Sequence, residues 1–230
     1  MHSISNHIAD VRSRIAHAAQ TAGRQRDTVR LVAVSKTQSV EKIRAATAAG
    51  IADFGENYVS DALPKIVALN DRRLCWHFIG AVQSNKTRDI ACNFQWVQTL
   101  DRTKVAQRLA AQRPDDADPL DVLIQINIDS EPQKAGIAPE ALAEFAAHIL
   151  ALPRLRLRGL MAIPRAETEP DRQRSAFRRM RNLFEAARPA DASHWDTLSM
   201  GMTQDFEAAI AEGATMIRIG TALFGPRGTQ

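Results

Sequence analysis

Apolar and polar positions along this chain follow two alternating rhythms: short runs rich in β-branched residues, and longer stretches with apolar side chains three and four apart. An opening amphipathic helix is predicted from about Ser5 to Ala22, ended by Gly23. Eight strand candidates follow: Leu31 to Ser35, Ile51 to Phe54, Cys75 to Ile79, Trp96 to Thr99, Val122 to Ile128, Leu157 to Ala162, Thr197 to Ser199 and Met216 to Ile219. Between and after them, Val40 to Ala49, Val59 to Leu69, Thr103 to Gln112, Pro139 to Leu150, Gln173 to Ala187 and Phe206 to Glu212 have helical composition. Ser39 ahead of Val40 and Glu41, and Pro139 ahead of Glu140, are start signals. Eight repeats of strand then helix, with no run of hairpins, predict an α/β fold closed as a (β/α)8 TIM barrel with an additional N-terminal helix. The stretches Arg113 to Pro119 and Arg165 to Asp171 read as turns, and no low-complexity linker divides the chain, so residues 1–230 are expected to be one domain.

Composition narrows the classes. The chain has 230 residues, 45% hydrophobic and 24% charged, with no apolar run of membrane-spanning length and no secretory leader at its start, which predicts a soluble cytoplasmic protein. Cys75 and Cys92 are too few for a disulfide framework and lie in no Cys-x-x-Cys spacing. Cys75 and His77 share one face of strand three, but two donors without a third make no metal site, and none is expected. Thirty basic against 26 acidic residues leave a formal charge of only +4. The densest basic stretch, Arg172 to Arg181, carries Phe177, Met180, Leu183 and Phe184 at helical spacing and reads as a solvated helix face over an apolar stripe. With 5% aromatic residues there is little to stack on bases, so a nucleic-acid-binding role ranks last.

The candidate chemistry begins at Lys36, which closes the apolar run Leu31-Val32-Ala33-Val34-Ser35 and aims an amine out of the end of the first strand. A strand-end lysine is ordinarily just solvated at the rim. Two loops change that reading. Barrels of this kind often bind phosphate after strands seven and eight. Here strand seven runs into Ser199-Met200-Gly201-Met202-Thr203, with Thr203 expected to cap the next helix, and strand eight into Arg218-Ile219-Gly220-Thr221. A lysine on strand one is next door around a closed barrel. An amine beside a phosphate cradle suits a phosphorylated aldehyde, for which pyridoxal phosphate is the obvious candidate. Arg218 could then point into the mouth and donate to the pyridine nitrogen, where a permanently charged, acceptor-free group disfavours ring protonation. Asn57, just after strand two, could lie near the same ligand. Met161, Met200 and Met202 read as packing residues, and Lys65, Lys86 and Lys134 as exposed amines competing with Lys36.

Six strings in order carry a resemblance: Val32-Ala33-Val34-Ser35-Lys36, Phe54-Gly55-Glu56-Asn57-Tyr58-Val59, His77-Phe78-Ile79-Gly80 with Gln83-Ser84-Asn85-Lys86, Arg158-Gly159-Leu160-Met161-Ala162-Ile163, Ser199-Met200-Gly201-Met202, and Arg218-Ile219-Gly220-Thr221 with Phe224-Gly225. Over nearly its whole length the chain resembles the pyridoxal phosphate homeostasis proteins. The resemblance implies a single-domain barrel like the N-terminal domain of alanine racemase (fold type III among pyridoxal phosphate proteins), with pyridoxal 5'-phosphate held as an aldimine on Lys36. It also implies phosphate contacts near Ser199, Gly220 and Thr221, and a ring-nitrogen contact from Arg218, while Gly201 in the strand-seven loop reads as a glycine that lets backbone approach the ligand. Ala81-Val82, Thr203 and Ala135 depart conservatively from the family's usual residues.

Two functions are weighed. In the first, the protein binds and supplies the cofactor inside the cell (vitamin B6 homeostasis) without substrate turnover, apo forms of pyridoxal phosphate enzymes being its possible partners. The chain ends five residues after Gly225, with no second domain expected to roof the site. In the second it is an amino-acid racemase-like enzyme, which needs another proton-transfer group facing Lys36. Its one tyrosine, Tyr58, does not take that place convincingly. No large apolar face stands out, and a monomer is expected.

Overall fold

The computed structural model describes residues 3–189 and 194–225. Helix α1 (Ile4–Thr21) opens the chain behind Ser3, whose side chain accepts from the Asn6 amide. The strands are β1 (Arg30–Val34), β2 (Asp53–Glu56), β3 (Cys75–Phe78), β4 (Trp96–Leu100), β5 (Leu120–Ile126), β6 (Leu155–Ala162), β7 (Thr197–Ser199) and β8 (Met216–Ile219). Helices α2 (Val40–Ala48), α3 (Val59–Leu69), α4 (Thr87–Asn93), α5 (Thr103–Gln112), α6 (Leu142–Leu150), α7 (Pro170–Ala186), α8 (Phe206–Ala211) and α9 (Thr221–Phe224) follow the strands in turn. All neighbours pair in parallel, in sequence order, and β8 returns to β1, so the sheet is a closed TIM barrel.

Closure divides the apolar side chains between two cores. Strand residues of one parity, such as Ala33, Phe54, Phe78 and Ile217, pack outward with the helices in one large shell. Val32, Trp96, Leu123, Met161 and Met216 fill the lumen as a separate cluster. Helix α1 joins the outer shell through Ile8, Val11, Ile15 and Ala19 and packs against α2, α8 and α9, over the β1–β8 side.

The strand and helix sequence agrees with the periodicity, with local exceptions. Helix α4 escapes the pattern because it has only seven residues and grows out of the 3-10 turn Ser84–Lys86, with the Thr87 hydroxyl donating to the Ser84 carbonyl. Pro139 opens a 3-10 turn rather than α6 itself. Thr203 is not the cap expected of it: Asp205 directly precedes α8, and its carboxylate accepts from the Met202 amide at 2.6 Å. The arginine-rich face of α7 is only partly solvated, since Arg174, Arg178 and Arg181 converge on the buried carboxylate of Glu212 at 2.8, 3.0 and 3.4 Å.

One irregularity shapes the lower barrel. Val122 pairs Leu157 but Leu123 pairs Gly159, so Arg158 is an extra residue in β6. The bulge lets Arg158 lie over the Trp96 ring at 4.9 Å while it bonds Asp121 and Asp196. Gly159 makes the bulge possible: its φ is 141°, and a Cβ there would meet the Thr197 carbonyl oxygen at 2.1 Å. Gly159→Ala is expected to lower stability by about 2 kcal/mol or more. Urea unfolding checks this, and a midpoint equal to that of the wild type would contradict it.

Candidate functional site

At the carboxyl end of β1 the chain turns sharply. The Ser35 amide donates to Gly55 on β2, the Gln38 amide closes back onto the Ser35 carbonyl at 3.0 Å, and Thr37 between them sits at φ 63°. A β-branched residue in that left-handed region costs on the order of 1–3 kcal/mol, and such strain clusters at functional sites. Lys36 stands at the head of this turn, half-buried, and among the described residues its amine has no hydrogen-bond or ion-pair partner.

The turn rests on a buried ion pair that the sequence reading missed. Lys65 reaches in from α3 and donates to the Ser35 carbonyl at 2.9 Å and to Glu56 Oε1 at 2.8 Å. The Ser35 hydroxyl donates to the same carboxylate oxygen at 2.6 Å. Burial pushes the Glu56 carboxyl above its ordinary range, against the pull of Lys65 and Ser35. Lys65 is therefore no exposed competitor of Lys36. Lys134 is also engaged, with Glu131 at 2.7 Å and the Ile163 carbonyl at 3.3 Å, while Lys86 lines a small cleft of about 220 Å³ with Asn57, Tyr58, Gly80 and Gln83. Residue spacing carries no signal for such commitments.

Barrel closure brings the last two loops to this turn. Arg218 pairs Val32 and Ile219 pairs Ala33, which sets Gly220 against Val34, two residues before Lys36. Gly220 precedes α9, whose first residue Thr221 is exposed. Gly201 has φ 96°, and a Cβ there would meet Ala209 Cβ at 2.7 Å, while its carbonyl accepts from the Arg218 amide at 3.1 Å. The register of β1 with β2 sets Asn57 and Lys36 at matching levels past paired strands. The Asn57 Oδ1 atom is buried without a hydrogen-bond partner.

Arg218 and Ser199 lie deeper than the loop residues. The Arg218 guanidinium is buried, donating to Ser199 Oγ at 2.6 Å and to the Ala162 carbonyl at 3.0 Å. Desolvation lowers its pKa to about 10 despite the charge of Asp205. Both acceptors are neutral, so its positive charge remains available to an acceptor at the barrel mouth. The Ser199 hydroxyl donates to Gln98 Oε1 at 2.7 Å, Gln98 Nε2 donates to His77 Nδ1 at 3.0 Å, and His77 Nε2 meets Asp53 Oδ1 at 2.9 Å. A polar chain thus runs through the lumen from Arg218 to the opposite mouth. Burial holds the His77 imidazole below its usual pKa, and so neutral, although Asp53 opposes the shift. Gln98 was legible in principle, as a polar residue two places after Trp96 on the inward face of β4.

Comparison with known proteins settles the ancestry. Residues 7–228 match the family described as alanine racemase, N-terminal domain. The pyridoxal phosphate homeostasis protein of Pseudomonas aeruginosa is 54% identical over 228 residues, covering 99% of this chain and 97% of that protein. This chain belongs to that family. The Escherichia coli (strain K12) homeostasis protein is 50% identical over 230 residues, covering 99% of this chain and 98% of its own. Among solved structures, PipY of Synechococcus elongatus PCC7942 with PLP bound superposes with a TM-score of 0.83 at 33% identity, over 97% of this chain and 100% of that one. Alanine racemase from Corynebacterium glutamicum reaches 0.66 at 18% identity, with 96% of this chain covering 62% of that one, a likeness of fold alone.

Removing the cation that faces Glu56 isolates the energetics beneath Lys36. Lys65→Met is expected to cost about 3–5 kcal/mol near neutral pH, because it strands a buried carboxylate. A raised folded-state pKa means that Glu56 contributes most below its unfolded value and loses that contribution as pH rises through the folded one. The penalty of Lys65→Met should therefore shrink on acidification through the carboxyl range. Denaturation of both proteins across pH checks this, and a pH-independent difference would contradict it.

Proposed function

We propose that this homeostasis-family chain binds pyridoxal 5'-phosphate at the carboxyl-end mouth of its barrel, attached through Lys36, and serves intracellular supply of the cofactor rather than turning over a substrate. The observation that carries the reading is the unpaired Lys36 amine at the end of β1, beside the β7 and β8 loops. When bound, the cofactor supplies an aldehyde that takes up an amine reversibly and a phosphate that anchors it. The residues present fit such a ligand.

Lys36 offers a nucleophile that no carboxylate holds. Arg218, kept charged among neutral acceptors, is suited to face an unprotonated ring nitrogen. Ser199, with both hydrogen-bonding directions already engaged, orients that guanidinium and approaches the ligand through it. Gly220 and Thr221 would offer a side-chain-free backbone and an exposed hydroxyl to the phosphate, Gly201 seats the β7 loop tightly against α8, and Asn57 offers an unsatisfied polar group on the β2 side.

Absence of turnover is part of the proposal. Tyr58, which could have served as a second acid–base group, is 63% exposed and lines the cleft with Lys86. The large exposed apolar side chains among the described residues, Tyr58, Val67, Leu150, Ile163 and Met202, are scattered, which supports a monomer. No described helix is long and apolar enough to cross a membrane. A single barrel domain acting in the cytoplasm, with apo forms of pyridoxal phosphate enzymes as recipients, accommodates these features.

Lys36→Ala is expected to abolish the visible absorption that wild-type protein acquires on incubation with pyridoxal phosphate, while Lys86→Ala and Lys134→Ala retain it. Loaded wild-type protein is expected to activate an apo-enzyme. Retention of nearly all the ligand after long incubation with that enzyme would contradict the supply role. Exchange of the alpha proton of alanine with solvent, lost in Lys36→Ala, would establish a racemase-like activity instead.

A further inference from the structure

The end of the barrel opposite Lys36 opens into a cleft of about 860 Å³ whose walls include Arg12, Arg30, Asp53, Arg158 and Asp196. At its inner edge three donors of different chemistry meet. Asp53 begins β2 and pairs Cys75 at the start of β3, while His77 follows on the same inward face as Cys75. The Cys75 sulfur lies 3.5 Å from His77 Nε2, Asp53 Oδ1 lies 2.9 Å from that nitrogen, and the three donor atoms are all within 4.8 Å of one another. The sequence alone offered two donors here; barrel register brings the third from a neighbouring strand.

We propose that Asp53, Cys75 and His77 form a three-donor site for a thiophilic divalent cation of the zinc type, with its fourth position facing the cleft. A tetrahedral zinc with ordinary bond lengths needs donor atoms roughly 3.3–3.6 Å apart. The sulfur–nitrogen separation already satisfies this, and the carboxylate must withdraw by only a few tenths of an ångström. Asp53 has room to do so, with its side chain 21% exposed on the cleft wall and its nearest cation, Arg30, at 3.9 Å. One thiolate, one imidazole and one carboxylate select zinc or cadmium over magnesium or calcium, which take oxygen donors. The thiolate and carboxylate neutralise the dication, so the metal and its three donors together carry no net charge.

Protons balance as follows. The Cys75 thiol gives up its proton to solvent. His77 must present an unprotonated Nε2, so its proton moves to Nδ1, which now faces the Gln98 amide nitrogen at 3.0 Å. Rotation of that amide restores the contact: Gln98 Oε1 accepts from Nδ1, its nitrogen donates to the Ser199 oxygen, and the Ser199 hydroxyl proton, released from Oε1, turns toward the carboxyl-end mouth. The Ser199 hydroxyl also receives Arg218, so occupancy at one mouth is read at the other. This coupling rests on the proposed cofactor role, whereas the metal site itself does not.

The test is a cobalt(II) titration of untagged full-length protein, followed through the thiolate-to-cobalt charge-transfer band in the near ultraviolet. One equivalent is expected to develop the band and zinc to quench it. Cys75→Ser should abolish it, and Asp53→Asn should weaken binding by at least about tenfold. Cys92→Ser, which removes the other, exposed thiol, should leave it intact. No stoichiometric band in the wild type, or a band that survives Cys75→Ser, overturns the site. With pyridoxal phosphate loaded, zinc is expected to shift the visible absorption of the wild type but not of Cys75→Ser. An unchanged spectrum despite stoichiometric metal binding overturns the coupling alone.

Discussion

The pairing of β8 with β1 is the contact on which the rest depends. Arg30 to Ala33 lie in register with Met216 to Ile219, and this seam sets the last loop of the fold beside the first. Without it Lys36 would be an amine at a sheet edge, and Gly220 and Arg218 would stand at the far edge of an open sheet. With it, the two ends of the sequence meet within one mouth, and α1 packs over the outside through a continuous apolar face. Parallel closure also turns one face of every strand inward, which creates a lumen with its own apolar plug and its own polar chain.

Two buried electrostatic arrangements organise the carboxyl-end mouth, in different ways. Beneath Lys36, the Glu56–Lys65 pair satisfies the strained turn from both sides, using the carbonyl and the hydroxyl of Ser35. It holds the backbone and leaves the neighbouring amine unpaired. Across the mouth, Arg218 is buried among neutral acceptors and so stays electrostatically unspent. A carboxylate in place of Ser199 would neutralise it. Under the proposed cofactor role, that guanidinium would face a ring nitrogen that accepts a hydrogen bond without being protonated.

Much of this was legible in the sequence. Every strand lies within two or three residues of its apolar run, and β7 and β8 coincide with theirs, because parallel strands buried on both faces are nearly continuous in hydrophobicity. Lys36 and the glycines at 201 and 220 announced themselves as strand-end and turn residues. The rest is long-range side-chain pairing, which no local pattern encodes. Lys65 looks like any helix lysine until α3 is docked on β2. Ser199 reads as a lone loop hydroxyl until Gln98 and Arg218 are seen on either side of it. The third partner of Cys75 and His77 depends on which residue of β2 lies opposite, which is a matter of register.

The most direct measurement of the central claim is borohydride reduction of protein loaded with pyridoxal phosphate, followed by peptide mass mapping. The account predicts a single pyridoxyl label on Lys36, because Lys65 is buried in its pair with Glu56, Lys134 is engaged with Glu131, and Lys86 follows β3, which does not border β8. A label on Lys65, or one spread evenly over Lys86 and Lys134 with Lys36 unmodified, would contradict it.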